Sequence, residues 1–206
     1  MEILLFLGYE GLVAVVPFVL LLSALDRGWR RKGIGLSRRD WGLAAVFVLY
    51  AAGALHFTGA GTVYDLLRVG WELRPEQANL IPFSRQIDPA GYLLNVLLFA
   101  PLGILTPLLW EKGRRASSVA GLGAAVSLLV ELSQLLDNRS SDVDDLIVNT
   151  AGALLGFGGY KLWVRRAGEP GRKTPVSLLP LCILVPFVGR FFLFNEMGLA
   201  RLLYGF

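Results

Sequence analysis

The chain has 206 residues, 54% of them hydrophobic and 17% charged, with a mean hydropathy of +0.57 and 20 Lys and Arg against 16 Asp and Glu. An apolar share above the roughly 45–50% of ordinary domains excludes disorder, and its concentration in long runs excludes an ordinary soluble domain. The formal net charge of +4 calls for no nucleic acid, because an anionic cytoplasmic leaflet accounts for an excess of Lys and Arg beside membrane segments.

The first apolar run, Ile3 to Leu25, is too long for the core of a cleavable signal, and Glu2 stands where such a signal needs a basic segment. A basic cluster follows: Arg27, Arg30, Arg31, Lys32, Arg38 and Arg39. The second run, Trp41 to Phe57, contains the only histidine, His56, which reads as an interfacial or packing residue. In the long connection that follows, Tyr64, Leu67, Trp71 and Leu73 predict a short amphipathic segment at the outer interface, ended by Pro75. Asn79 to Phe83 (NLIPF) then forms an apolar loop able to fold back over the helix ends.

The third run, Tyr92 to Trp110, holds Asn95 about one turn from its start and Pro101 near its middle; the fourth is Ala116 to Leu136 and the fifth Leu146 to Trp163. The sixth, Val176 to Phe194, contains Arg190 and the lone Cys182, so no intramolecular disulfide can form. Each run approaches or exceeds the roughly 17–25 residues that cross a hydrocarbon core. None alternates as barrel strands do, and 24 glycines favour close helix packing. The expected fold is all-α, a polytopic membrane helical bundle of about six transmembrane helices forming a single membrane domain over 1–206.

Basic residues fall after the first, third and fifth runs, 14 on that side against five on the other, with Arg190 inside a run. By the positive-inside rule both termini lie outside. The acidic residues Asp65, Glu72, Glu76, Asp88, Asp137, Asp142, Asp144 and Asp145 collect on that outer side. Glu131 and Gln134 interrupt the fourth run three residues apart and share a face, with Gly123 and Ser127 continuing the stripe. A buried carboxyl there needs a partner or a proton. Ser141 and Asp144 read as a capping-box variant at the start of the fifth run, an alternative to a ligand role for Asp144. Asp142, Asp145, Asn149, Gly152 and Gly156 form one stripe, acidic at its start and a GxxxG packing face below. Asn95 serves equally as glue between helices, and Arg139, alone in the tight connection, is expected to reach Glu131 or the Asp group. A satisfied ionic latch and an outward-facing polar pocket both fit these residues.

In order along the chain, NLIPF (Asn79 to Phe83), NVLLFAPLG (Asn95 to Gly103), ELSQLL (Glu131 to Leu136) and NRSSDVDDLIVNTAGALLG (Asn138 to Gly156) resemble the VanZ-like family of bacterial membrane proteins. The resemblance covers a core of 79–161 and leaves 1–78 and 162–206 as flanking helices and loops. It implies a multi-pass protein of the bacterial cytoplasmic membrane, related to resistance to teicoplanin and other lipoglycopeptides. Arg139, Asp142, Asp144, Asp145, Asn149 and Gly152 are in register with the family pattern, whereas Ser141 stands where bulky apolar residues are common.

The first expectation is a pocket for an amphipathic ligand, built from Asn95, Glu131, Gln134, Arg139, Asp142, Asp145 and Asn149. Its partners would be membrane lipids and a lipoglycopeptide or lipid-linked wall precursor. A membrane enzyme acting on such a precursor is the second, with Glu131 as candidate acid or base; no organic cofactor is expected, while a divalent cation at Asp142, Asp144 and Asp145 stays open. A transporter is the third, and the confinement of Lys and Arg clusters to loops argues against it.

Overall fold

The computed structural model describes residues 2–70, 77–84, 88–136, 139–171 and 177–205. Trp71, Leu73 and Pro75 of the expected interfacial segment, Asn138 of the last motif, Val176 at the start of the sixth run, and Glu72, Arg74, Glu76, Arg85, Asp137, Arg172 and Lys173 lie outside the described residues. The elements run α1 (Glu2–Arg31), α2 (Arg38–Thr58), α3 (Val63–Val69), β1 (Ala78–Asn79), α4 (Pro89–Leu109), a 3-10 turn (Glu111–Arg114), α5 (Ala116–Leu135), β2 (Ser141–Asp142), α6 (Val143–Ala167), α7 (Leu179–Leu193) and α8 (Glu196–Tyr204). Each apolar run thus supplies one helix.

Local chemistry sets the ends. Ser37 with Asp40 and Thr62 with Asp65 form capping boxes at the starts of α2 and α3. Asp88 caps α4, and Pro89 at its first position forgoes an N–H that has no helical partner anyway. Gly59 ends α2 at a φ of 61°, a left-handed turn that glycine adopts without strain. The turn from α1 to α2 is tied by the buried Asp26, which accepts from the Leu36 N–H at 2.7 Å, Arg30 Nε at 2.9 Å and Trp41 Nε1 at 3.2 Å.

Among the described residues, four segments are long and apolar enough to cross a membrane: Ile3–Arg31, Arg38–Arg68, Pro89–Leu109 and Ala116–Leu135. Their outward faces carry apolar side chains in the open, such as Leu4, Leu20, Leu49, Leu94 and Leu97, as hydrocarbon contact requires. The protein is therefore a helical membrane bundle. The sixth run differs from its expected form. Its helix α7 has 15 residues, about 22 Å at 1.5 Å per residue, short of the roughly 30 Å hydrocarbon core. It meets that span only together with α8, across a 46° bend.

The long helices pack as two triplets. One is α4, α5 and α6, in which α4 against α6 makes the largest contact of the molecule; the other is α1, α2 and α7, and α2 against α4 joins them. Phe18, Leu22, Phe47, Phe99, Leu102, Val119, Ala153, Tyr160 and Cys182 form one buried core across both. The α4–α6 seam is backbone against backbone. A Cβ on Gly103 would overlap the Ala153 carbonyl oxygen, and one on Gly156 the Ala100 carbonyl oxygen. The expected GxxxG face is thus the surface that lets α6 lie against α4.

Candidate functional site

Four carboxylates gather where α4 and α6 begin and α5 ends, and their neighbours come from all three helices and the loop before α4. The parallel pairing of Ala78 with Ser141 and Asn79 with Asp142 draws that loop to the start of α6. Asn79 Nδ2 then donates to both carboxylate oxygens of Asp142 at 3.1 Å. Asp142, not Ser141, caps α6, its Oδ1 accepting from the Asp144 N–H at 3.0 Å. The expected capping box gives way because Asp144 is turned elsewhere. Only 2% exposed, it accepts from the Phe83 N–H at 2.7 Å and from the Tyr92 hydroxyl at 2.5 Å.

Asp145, one position on, faces α4 and accepts from Asn95 Nδ2 at 2.7 Å. Buried Glu131, near the end of α5, accepts from the Asp142 N–H at 3.1 Å. Each carboxylate is therefore met by a neutral donor, and the positive end of the α6 dipole adds to their stabilisation.

The two stripes read from the sequence find distinct partners. Gly123, Ser127 and Glu131 all face α6: a Cβ on Gly123 would stand 3.0 Å from the Ala153 methyl, and Ser127 Oγ accepts from Asn149 Nδ2 at 2.9 Å. Asp145, Gly152 and Gly156 face α4, while Asn149 turns toward α5. Asn149 Oδ1 is buried with no hydrogen-bond partner among the described residues.

Two residues depart from the expected grouping. Gln134 Nε2 donates to the Thr58 carbonyl at 2.6 Å, at the end of α2. Three residues along a helix leave side chains roughly 60° apart, enough here to send Glu131 to α6 and Gln134 to α2. Arg139 is exposed and donates through Nη1 to the Gly59 carbonyl at 3.1 Å; it makes no ion pair with Glu131, Asp142, Asp144 or Asp145. Among the described residues the ties at this end are hydrogen bonds. Asp142, Asp144 and Asp145 turn to separate partners, and among the described residues no three His, Cys, Asp or Glu side chains are placed to hold a metal ion.

The chief product of these bonds is a pinned loop. Phe83 has a φ of 55°, uncommon for an aromatic residue, and its N–H is held by buried Asp144. Leu80, Ile81 and Phe83 stay exposed, Leu80 by 78%. The expectation that NLIPF folds over the helix ends holds, and its polar side faces the carboxylates. Asn79 and Tyr92 as anchors were not foreseen. Tyr92 lies three residues before Asn95, a spacing that puts both on the same side of α4.

A second polar cluster occupies the other triplet at the same end. Glu10 of α1 and Arg190 of α7, 7% and 8% exposed in their side chains, pair at 2.6 Å. Arg190 Nη1 also donates to the Ala60 carbonyl. His56 Nδ1 lies 2.6 Å from the other Glu10 oxygen, so His56 is joined to a carboxylate instead of only packing. The signal was an acid and a base, each isolated in an apolar run, which must find each other or another partner.

Residues 45–164, more than half of the chain, match the VanZ/LLP1 family. The chain belongs to that family. No solved structure matches it. The VanZ/LLP1 match begins inside α2, so it takes in His56 and the turn after α2 along with all four motifs, and it leaves Glu10 and Arg190 outside.

Proposed function

We propose that this VanZ/LLP1 protein is a multi-pass protein of the bacterial cytoplasmic membrane that recognises an amphipathic ligand at the outer leaflet, lipoglycopeptides of the teicoplanin kind first among them. In this reading α6 and the bent α7–α8 pair complete six crossings, and both termini and the acidic end lie outside, as the distribution of Lys and Arg favours. One observation carries it: a loop with Leu80, Ile81 and Phe83 exposed is fixed from beneath by carboxylates.

An apolar hook over polar groups suits a molecule with an acyl chain and a polar body, and teicoplanin differs from vancomycin in carrying such a chain. Asp142, Asp145 and Asn95 meet the polar part, while Leu80, Ile81 and Phe83 meet the acyl part. Glu131, Gln134, Arg139 and Asn149 hold the helices and turns that set this geometry.

The test titrates teicoplanin and vancomycin against a sensitive host expressing the wild type, Glu131→Ala, Asp142→Ala or Ile81→Asp, with each variant's membrane level measured. Wild type should raise tolerance of teicoplanin well above that of vancomycin, and all three variants should lose the difference. Variants inserted at normal level that keep full teicoplanin resistance would sink the reading.

A further inference from the structure

The two helix triplets are joined where α2 packs on α4, whereas α5 and α7 flank a groove instead of packing closely on one another. The groove holds about 410 Å³, within the size range of small-ligand sites. Its walls are Leu122, Val126 and Leu129 of α5 and Leu179, Ile183 and Leu184 of α7, and the exposed Ala125 and Leu184 put its opening on the bilayer side. Val126, Leu129 and Ile183 also border a small apolar cavity of about 40 Å³ between the triplets, so the junction behind the groove is not fully closed.

Polar groups stand at one end of this groove. Helices α5 and α7 both start at the basic face of the protein, and there the lining includes Trp110 and Ser177. Tryptophan is a residue of membrane interfaces, and Ser177 Oγ is buried with no hydrogen-bond partner among the described residues. From that end the lining climbs from Leu122 to Leu129 along α5, about 10 Å at 1.5 Å per residue, and from Leu179 to Leu184 along α7, in each case away from the basic face. A chain entering beside Trp110 and Ser177 therefore runs toward the middle of the bilayer.

Charge selects the head group. Trp110 leads directly into the turn Glu111–Arg114, and Arg115 follows. Arg114 pairs with Glu169 at 3.3 Å, whereas Lys112 and Arg115 are exposed and make no ion pair among the described residues, with Glu111 the one acid beside them. Arg115, Ser118, Leu122, Val126 and Leu129 follow one another at steps of three, four, four and three, so the exposed guanidinium heads the helical stripe that lines the groove.

We propose that the groove between α5 and α7 seats an anionic phospholipid of the inner leaflet, as in phosphatidylglycerol. One acyl chain follows Leu122, Val126 and Ile183, an ester oxygen accepts from the Ser177 hydroxyl, and the phosphate meets Lys112 and Arg115. A zwitterionic lipid brings a positive charge of its own to the same two cations. The proposal rests on the orientation given above, with the basic end inside, but uses none of the residues of the acidic end, so the lipid site and the ligand proposed there can fail separately.

Full-length protein is released from nanodiscs holding equal parts of phosphatidylglycerol and phosphatidylcholine, and the retained lipids are identified by native mass spectrometry. Phosphatidylglycerol should be retained on the order of twentyfold over phosphatidylcholine, each basic side chain at a charged lipid surface contributing about fivefold. Lys112→Gln and Arg115→Gln should each cut the preference about fivefold, and the double variant should abolish it. Ala125→Trp, which fills the groove, should lower retention of both lipids. All three positions are exposed, so these changes leave the packed core intact. Equal retention of the two lipids by wild type, or a preference that survives the double variant, would overturn the proposal. So would unchanged retention by Ala125→Trp, or displacement by soluble glycerophosphoglycerol as effective as that by phosphatidylglycerol itself. A dimer that Ala125→Trp dissolves would overturn it as well, by giving the groove to a second copy of the chain.

Discussion

The two helix triplets solve one problem in opposite ways. Both place carboxylates near or within apolar surroundings at the same end of the bundle. Among the described residues, the carboxylates at the ends of α4, α5 and α6 meet neutral donors: amide side chains, backbone N–H groups and a tyrosine hydroxyl. In α1, α2 and α7 one carboxylate meets a full guanidinium charge and a histidine. The first solution sets four negative charges against separate neutral donors, so losing one donor leaves the other carboxylates satisfied. The second concentrates it in one pair, and removing Glu10 leaves the buried Arg190 charge with only the Ala60 carbonyl as a hydrogen-bond partner among the described residues.

That contrast orders the expected effects of substitution. Glu10→Ala should be the most damaging, costing about 3–5 kcal/mol, the usual consequence of stranding one member of a buried ion pair. The double change Glu10→Leu with Arg190→Met should recover most of this loss, because apolar replacements of a whole buried pair are often neutral. Thermal unfolding of the purified protein in detergent measures both. A double variant as unstable as the single would show that the pair does more than cancel charge.

Next comes the seam on which the neutral solution rests. Gly156→Val should cost toward the upper end of ~1–3 kcal/mol, since the new side chain runs into the Ala100 carbonyl. Gly158, two positions on, has nothing within 4 Å of an added Cβ, so Gly158→Ala should be neutral or raise stability by up to ~1 kcal/mol. The same melting experiment separates them, and equal effects would break the seam argument.

Asp144→Ala should cost about 1–3 kcal/mol by leaving the Phe83 N–H without its acceptor. The sharper readout is hydrogen exchange, which should speed up across 79–84 while α1, α2 and α7 stay as protected as before. Arg139→Ala is expected to be the mildest, at most ~1 kcal/mol, because its bond to Gly59 is exposed to water. A large loss there would mean that the end of α2 depends on that guanidinium.

The helices were legible in the sequence because lipid imposes a length and an apolar composition that few other settings produce. The GxxxG face was legible as well, since only small residues at that spacing let two backbones meet. Which partner each polar residue chooses was less so. Gln134 and Glu131 sit three apart, yet a rotation of one face edge sends them to different helices. Asn79 meets Asp142 through a two-residue parallel bridge too short to leave a pattern. Arg139 was expected beside carboxylates on grounds of charge, but a carbonyl lay nearer. Glu10 and Arg190 are 180 positions apart, and nothing local in either run names the other.

The turn Thr58 to Gly61 receives four ties from elsewhere in the chain. Its carbonyls at 58, 59 and 60 accept from Gln134, Arg139 and Arg190, and its N–H at 61 donates to Ser133. The turn is read through its main chain, so Thr58→Ala would leave all four ties in place although both triplets converge there. Only changes that reshape the backbone would register: a residue other than glycine at 59, or a proline at 61 that removes the donated hydrogen. Of the four side chains Thr58 is the least constrained, since Gly59 holds a left-handed turn and Ala60 and Gly61 are buried, so the junction is kept by its backbone.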